Sequence, residues 1–177
     1  MCQSLIADLQ GLQAGTDNAT QFHRLVTGIL EIIFYPNLIY PTLEQGIHDG
    51  RKRIDLTFDN AACDGIFYRL SQNMGLPCQY IMVECKNYSS DIRNPELDQL
   101  SGRFSPNRGQ VGFIVCRTID NFDLFLNRCR DTYRDNRGLI IPLIDDDLIG
   151  LLSNHNEWNS DYSERFFSDR IRSIAVN

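Results

Sequence analysis

The feature that most constrains the fold is a regular alternation of short apolar runs with amphipathic segments in the second half of the chain. Val111–Cys116 and Leu139–Ile144 are apolar runs of strand length. The first is followed by a helical pattern over about 121–134 and the second by one over about 146–153. Strands alternating with helices imply crossover connections, which join parallel strands of one sheet covered by helices.

The first half of the chain predicts helices and a hairpin. Residues 3–12 and 19–35 have helical character, and the extended stretch Leu38–Ile47 is followed by a turn at His48, Asp49 and Gly50. Residues 53–58 alternate apolar and polar side chains, as a half-buried strand does. A short helix over 62–74, a strand over 79–86, a helix from Asn94 to about Phe104 and a last helix over 160–175 complete the prediction.

Length and composition bound the class of protein. With 177 residues, 42% of them hydrophobic and 23% charged, the chain is predicted to form one globular domain. The predicted core spans about 19–145, with an extra N-terminal helix and a C-terminal helical extension over about 146–177. We expect a soluble cytoplasmic protein, because the N-terminus lacks a basic signal region and no apolar run approaches the roughly 18 residues of a membrane span.

The cysteines and histidines predict neither disulfides nor a metal centre. None of the six cysteines has CxxC spacing, so we expect reduced thiols that are largely buried. The three histidines, His23, His48 and His155, are far apart, so each is predicted to be a surface or core residue rather than a ligand.

Basic residues are unevenly distributed in this acidic chain. The net charge is −6, which argues against binding nucleic acid through bulk charge, and lysine occurs only twice, as Lys52 and Lys86. Residues 103–137 carry seven arginines against four acids. This block predicts either a groove suited to phosphate or a solvated helix face, and the sequence leaves both open.

The strongest chemical pattern lies on the strand predicted over 79–86. Side chains alternate along a strand, so Glu84 and Lys86 project to the same side. Asp55, on the preceding strand, lies on the face opposite its apolar neighbours. If the two strands pair, Asp55 and Glu84 converge on one hard cation beside Lys86, an arrangement suited to metal-dependent phosphodiester hydrolysis. A strand carboxylate beside a lysine is most often an exposed pair, but here it interrupts an apolar run, where a charge is costly unless it is paired or binds metal.

In these residues and their element order the chain resembles the PD-(D/E)xK nuclease superfamily, which includes restriction endonucleases, Holliday-junction resolvases and Mrr-like nucleases. The resemblance covers roughly residues 19–118, and Glu84-Cys85-Lys86 stands in place of its ExK motif. It implies an α/β restriction-endonuclease-like fold, with an αβββαβ core and a mixed central sheet flanked by helices. It also implies that Asp55 and Glu84 bind Mg²⁺, or Mn²⁺, and that Lys86 is the catalytic lysine.

The resemblance extends to further positions. Glu31, on the helix over 19–35, matches an accessory metal-binding and catalytic glutamate, although its polar stripe also fits a solvated face, and Glu44 is an alternative. Gln99 resembles the glutamine of a QxxxY-type motif whose tyrosine position is Arg103 here, so both become candidate nucleic-acid contacts. The remaining candidate nucleic-acid contacts are Arg51, Lys52, Arg53 and Arg108.

We therefore expect a metal-dependent endonuclease or other nuclease acting on DNA, with RNA not excluded, in restriction, recombination or antiviral defence. The alternative is a catalytically silent nuclease-like module that binds nucleic acid or a protein partner. No separate DNA-reading motif is present, so specificity is expected to come from the core, from a homo-oligomer or from a partner such as an ATPase or helicase.

Overall fold

The computed structural model describes residues 1–47, 52–88, 94–155 and 161–176. Its helices and strands account for most of the described chain. In chain order they are α1 (Cys2–Gly11), α2 (Ala19–Phe34), β1 (Leu38–Ile47), β2 (Lys52–Asn60), α3 (Gly65–Gln72), β3 (Tyr80–Lys86), α4 (Asn94–Ser101), β4 (Val111–Cys116), α5 (Phe122–Arg134), β5 (Leu139–Ile144), α6 (Asp145–Ser153) and α7 (Asp161–Ala175). A short 3₁₀ turn, Thr16–Asn18, precedes α2.

The five strands form one mixed sheet in the order β1-β2-β3-β4-β5. The pairs β1–β2 and β2–β3 are antiparallel, whereas β3–β4 and β4–β5 are parallel. Helix α4 connects β3 to β4 and α5 connects β4 to β5, as parallel pairing requires. The predicted α/β class and mixed sheet with flanking helices are therefore confirmed.

The core follows from the apolar runs that predicted the strands. Every residue of β4 is buried, as expected for a strand covered on both faces. Four phenylalanines contact one another at the centre: Phe34 of α2, Phe67 of α3, Phe113 of β4 and Phe167 of α7. Burying each such side chain stabilises the fold by roughly 1.5–3 kcal/mol. The packing ties helices from both ends of the chain to the middle of the sheet.

Two predicted boundaries differ from the structure by about three residues, more than the others do. Helix α4 ends at Ser101 rather than near Phe104, because the amides of Arg103 and Phe104 bond to carbonyls three residues earlier and tighten the chain into a turn. Helix α3 begins at Gly65, three residues later than predicted. The turn predicted at residues 48–50 lies outside the described residues.

The remaining class-level predictions concern cysteines and membranes. Four of the six cysteines are buried, in agreement with the predicted burial of most of them: Cys78, Cys85, Cys116 and Cys129. Among the helices described, none has the length and apolar character needed to cross a bilayer.

Candidate functional site

Two neighbouring strands bring Asp55 and Glu84 together. Leu56 of β2 pairs with Val83 of β3, and continuing this antiparallel register by one step sets Asp55 opposite Glu84. Residues opposite one another across antiparallel strands project to the same face of the sheet. Lys86 lies two residues beyond Glu84 and shares that face.

Glu84 is a buried carboxylate in contact with two cations. The side chain is only 1% exposed. Lys86 Nζ lies 2.8 Å from Glu84 Oε1, and the Arg103 guanidinium pairs with Oε2. Glu84 Oε1 nevertheless accepts no hydrogen bond from the described residues, because the ammonium approaches it without hydrogen-bond alignment. One buried oxygen of Glu84 therefore has a charged neighbour and unused capacity to accept a bond.

Asp55 is held by the backbone of the adjacent strand. Its Oδ2 accepts a 3.0 Å hydrogen bond from the Cys85 amide, and His23 Nε2 lies 3.9 Å from the same oxygen, beyond hydrogen-bond distance. The Cys85 thiol is fully buried, and its burial, with Asp55 nearby, raises its pKa well above the usual value. A thiol held in its protonated form is a poor nucleophile, so the chemistry of this site rests on the carboxylates and cations.

These side chains line an open cleft of about 570 Å³. Strands β2 and β3 supply its floor, while the 3₁₀ turn, the first turns of α2 and the last turns of α4 supply its walls. The lining residues other than Asp55 and Glu84 are Thr16, Ala19, His23, Arg53, Cys85, Lys86, Asn87, Tyr88, Asp98, Gln99, Gly102 and Arg103. A cleft with this polar lining has room for a phosphate group and its flanking atoms.

Lys86 is positioned by three neighbours. Its Nζ donates a 3.3 Å hydrogen bond to Gln99 Oε1 of α4 and lies 5.6 Å from the centre of the Tyr88 ring, in addition to its contact with Glu84. The side chain is 10% exposed, so the ammonium reaches the cleft without being fully hydrated.

Arg103 enters the cleft from the turn that follows α4. Its burial lowers its pKa, although an arginine remains charged in proteins. Its carbonyl accepts hydrogen bonds of 3.3 and 3.0 Å from Nε and Nη2 of Arg108, which hold the turn in place. Arg108 therefore helps to hold the turn that carries Arg103, and Arg108 itself does not line the cleft.

A second network lies where the three parallel strands end, beside the cleft. Arg117, after β4, donates to Asp145 Oδ2 (2.6 Å), Asn87 Oδ1 (3.0 Å) and the Leu9 carbonyl (3.1 Å). Asn87, after β3, donates in turn to the carbonyls of Gln13 and Gly15. This network fastens the chain around residues 13–15 beside Lys86 and so shapes one wall of the cleft.

Several residues predicted for the site lie elsewhere. Glu31 is exposed on α2, two turns beyond His23, and is absent from the cleft lining; the described residues contain no group of three or more His, Cys, Asp or Glu side chains placed to hold a metal ion. Glu31 thus does not line the cleft with Asp55 and Glu84, because it lies about 12 Å farther along α2 than His23. Glu44 forms an exposed pair with Arg53, at 3.4 Å. Arg51 and the side chain of Lys52 lie outside the described residues.

Other cleft residues are absent from the sequence-based prediction. Asn87 directly follows Lys86 in the chain, whereas His23 belongs to α2, and only the packing of α2 over the strands brings His23 beside Asp55. The adjacency of Asn87 to the ExK motif is a signal that points to it, whereas His23 has no motif partner in the sequence.

Comparisons of the chain with protein-family models, with curated proteins and with solved structures return no match. Inference about function therefore rests on the geometry of the cleft and on the resemblance of its residues to the PD-(D/E)xK pattern.

Proposed function

We propose that this protein is a divalent-metal-dependent nuclease that hydrolyses phosphodiester bonds in DNA. The observation that carries the proposal is that Asp55 and Glu84, from adjacent antiparallel strands, line one open cleft, with Lys86 2.8 Å from Glu84. The order α2-β1-β2-β3-α4-β4, with α3 inserted between β2 and β3, supports a restriction-endonuclease-like core.

Asp55 and Glu84 would hold Mg²⁺ or Mn²⁺. Carboxylate oxygens are the ligands that these hard cations prefer, and Glu84 Oε1 is a buried oxygen without a hydrogen bond among the described residues. Two protein carboxylates leave room in an octahedral shell for water and a phosphate oxygen. When bound, the ion would neutralise the negative charge that develops on the phosphoryl group.

The chain's own cations complete the proposed chemistry. Lys86, fixed by Gln99 and Glu84, would donate from its Nζ ammonium to a phosphate oxygen and so stabilise the negative charge that develops there. Arg53 and Arg103 line the same cleft and are suited to bidentate contact with phosphate oxygens. The −6 net charge favours recognition through these local contacts over bulk attraction. Specificity would come from the core, from a second copy of the chain or from a partner such as an ATPase or helicase, and RNA is the alternative substrate.

A catalytically silent nucleic-acid-binding module is the second candidate, and one observation favours it. Both oxygens of Glu84 already contact cations of the protein, so the carboxylate is neutralised without a metal ion. In such a module Glu84, Lys86 and Arg103 would stabilise the cleft and would not cleave the ligand bound there.

Cleavage of linear and branched DNA separates the two candidates. We expect Mg²⁺-dependent cleavage by the wild type, abolished by EDTA and reduced at least a hundredfold in Lys86→Ala and Asp55→Ala. Arg172→Ala, an exposed change on α7 outside the cleft, is the control and should cleave as the wild type does. Undiminished cleavage by Lys86→Ala and Asp55→Ala would refute the nuclease assignment, and DNA binding by an inactive wild type would favour the silent module.

A further inference from the structure

Four charged side chains on the cleft floor balance one another. We call Asp55, Glu84, Lys86 and Arg103 the floor cluster; its side chains are 11%, 1%, 10% and 8% exposed, respectively. The two carboxylates and two cations give the cluster a formal charge of zero. Charges this poorly hydrated are costly unless opposite charges lie close by, and the floor cluster is electrically neutral without a metal ion.

A divalent ion on Glu84 would disturb this balance. It would bring two positive charges into a cluster that already contains Lys86 and Arg103 in contact with the same carboxylate. Like charges at such distances, in a region of low effective dielectric constant, repel strongly. The ion is therefore accommodated best when a cation leaves Glu84 and an anion enters the cleft at the same time.

Arg103 is better placed than Lys86 to leave Glu84. Lys86 is fixed on a central strand and also bonds to Gln99. Arg103 lies in the turn after α4, and within the described part of the chain its guanidinium pairs with Glu84 alone. Because Arg108 bonds to the Arg103 carbonyl, the backbone can stay in place while the long side chain reorients. A guanidinium released in this way can form a forked contact with a phosphate.

We propose that Arg103 is the built-in counter-cation of Glu84, which Mg²⁺ replaces when Arg103 transfers to a phosphate group in the cleft. The inference rests on the proposed metal-dependent function and deepens it: Mg²⁺ and a phosphate bind cooperatively, so the metal site loads when the phosphodiester arrives. By linkage, each ligand raises the affinity for the other by the same factor.

The test is Mg²⁺ binding by isothermal titration calorimetry, with and without inorganic phosphate. Arg103→Gln removes the charge and keeps an amide that can bond to Glu84, Arg103→Lys keeps the charge, and Arg172→Ala removes an exposed arginine on α7 as a control for net charge. We expect phosphate to tighten Mg²⁺ binding by the wild type at least tenfold. Without phosphate, Arg103→Gln should bind Mg²⁺ at least tenfold more tightly than the wild type, Arg103→Lys and Arg172→Ala.

Each of the other outcomes would refute the role of Arg103, the cooperativity or the metal-dependent function. Equal Mg²⁺ affinities of the wild type and Arg103→Gln, or an equal gain in Arg172→Ala, would refute the role of Arg103 while leaving the metal-dependent function standing. Phosphate that leaves the wild-type affinity unchanged would refute the cooperativity, and this measurement needs no variant if Arg103→Gln fails to fold. Absence of Mg²⁺ binding under all conditions would refute the proposed metal-dependent function and, with it, this inference.

Discussion

Neutralising Glu84 tests how strongly the buried charges depend on one another. Glu84→Gln preserves the shape of the side chain but leaves Lys86 and Arg103 without their shared carboxylate. Their side chains are only 10% and 8% exposed, so water compensates poorly. Removing one partner of a buried ion pair costs about 3–5 kcal/mol, which we expect here at pH 7. For a domain of this size each kcal/mol lowers Tm by about 2–4 °C, which corresponds to a fall of roughly 6–20 °C.

Urea denaturation followed by circular dichroism measures this loss, and the chain provides a matched control. Glu44→Gln makes the same substitution at the exposed pair with Arg53, where both side chains are 58% exposed. Exposed pairs contribute about 0–1 kcal/mol, so the control should lose less than about 1 kcal/mol of unfolding free energy. A loss of that small size in Glu84→Gln as well would refute the inference that Glu84 is the shared buried counter-charge of the two cations.

Two further predictions concern residues outside the cleft lining. Burial raises the pKa of Asp145 from its ordinary 3.8 despite the bond from Arg117. The folded state therefore binds this proton more tightly than the unfolded state does. The free energy of unfolding consequently falls as pH rises from the ordinary pKa through the raised pKa of the folded state. We therefore expect the unfolding free energy of the wild type, relative to Asp145→Asn, to decrease from about pH 4 to pH 7 in urea denaturation; an increase would contradict this sign. Gly109 has a φ of +134°, and an added Cβ would lie 2.4 Å from the Tyr80 carbonyl oxygen, so Gly109→Ala should lose more than about 2 kcal/mol in the same assay. Gly28→Ala in α2, where a Cβ meets nothing within 4 Å, should instead gain about 0.5–1 kcal/mol, and equal behaviour of the two variants would contradict the steric argument.

The fold was most predictable at the two strands that are formed by continuous apolar runs. Val111–Cys116 and Leu139–Ile144 match β4 and β5 residue for residue, because continuous apolar runs mark strands covered on both faces. The end of α4 was less predictable, since Gly102 and Arg103 form a turn whose arginine reaches a carboxylate on a different element. Such a contact depends on tertiary packing, which periodicity along the chain does not contain.

The site was predictable as far as strand geometry extends. The alternation of side chains placed Glu84 and Lys86 together, and an antiparallel partner strand sufficed to bring Asp55 to them. Strand geometry does not predict which face of a neighbouring helix lies against the strands. Helix α2 has a polar stripe, and its rotation and length over the sheet decide that His23 meets the cleft and Glu31 does not.

In the folded protein, several arginines of residues 103–137 make contacts that the charge pattern of the sequence did not predict. The sequence suggested a phosphate-binding groove or a solvated face. In the structure Arg117 bonds to Asp145 and backbone, Arg130 to the Ser173 carbonyl and Arg137 to Asp98. These three arginines therefore join different elements of the protein. We expect attraction for a phosphate to come from the cations that line the cleft, and because Arg103 is paired with Glu84 there, the role proposed for Arg103 would couple phosphate binding to the release of Glu84.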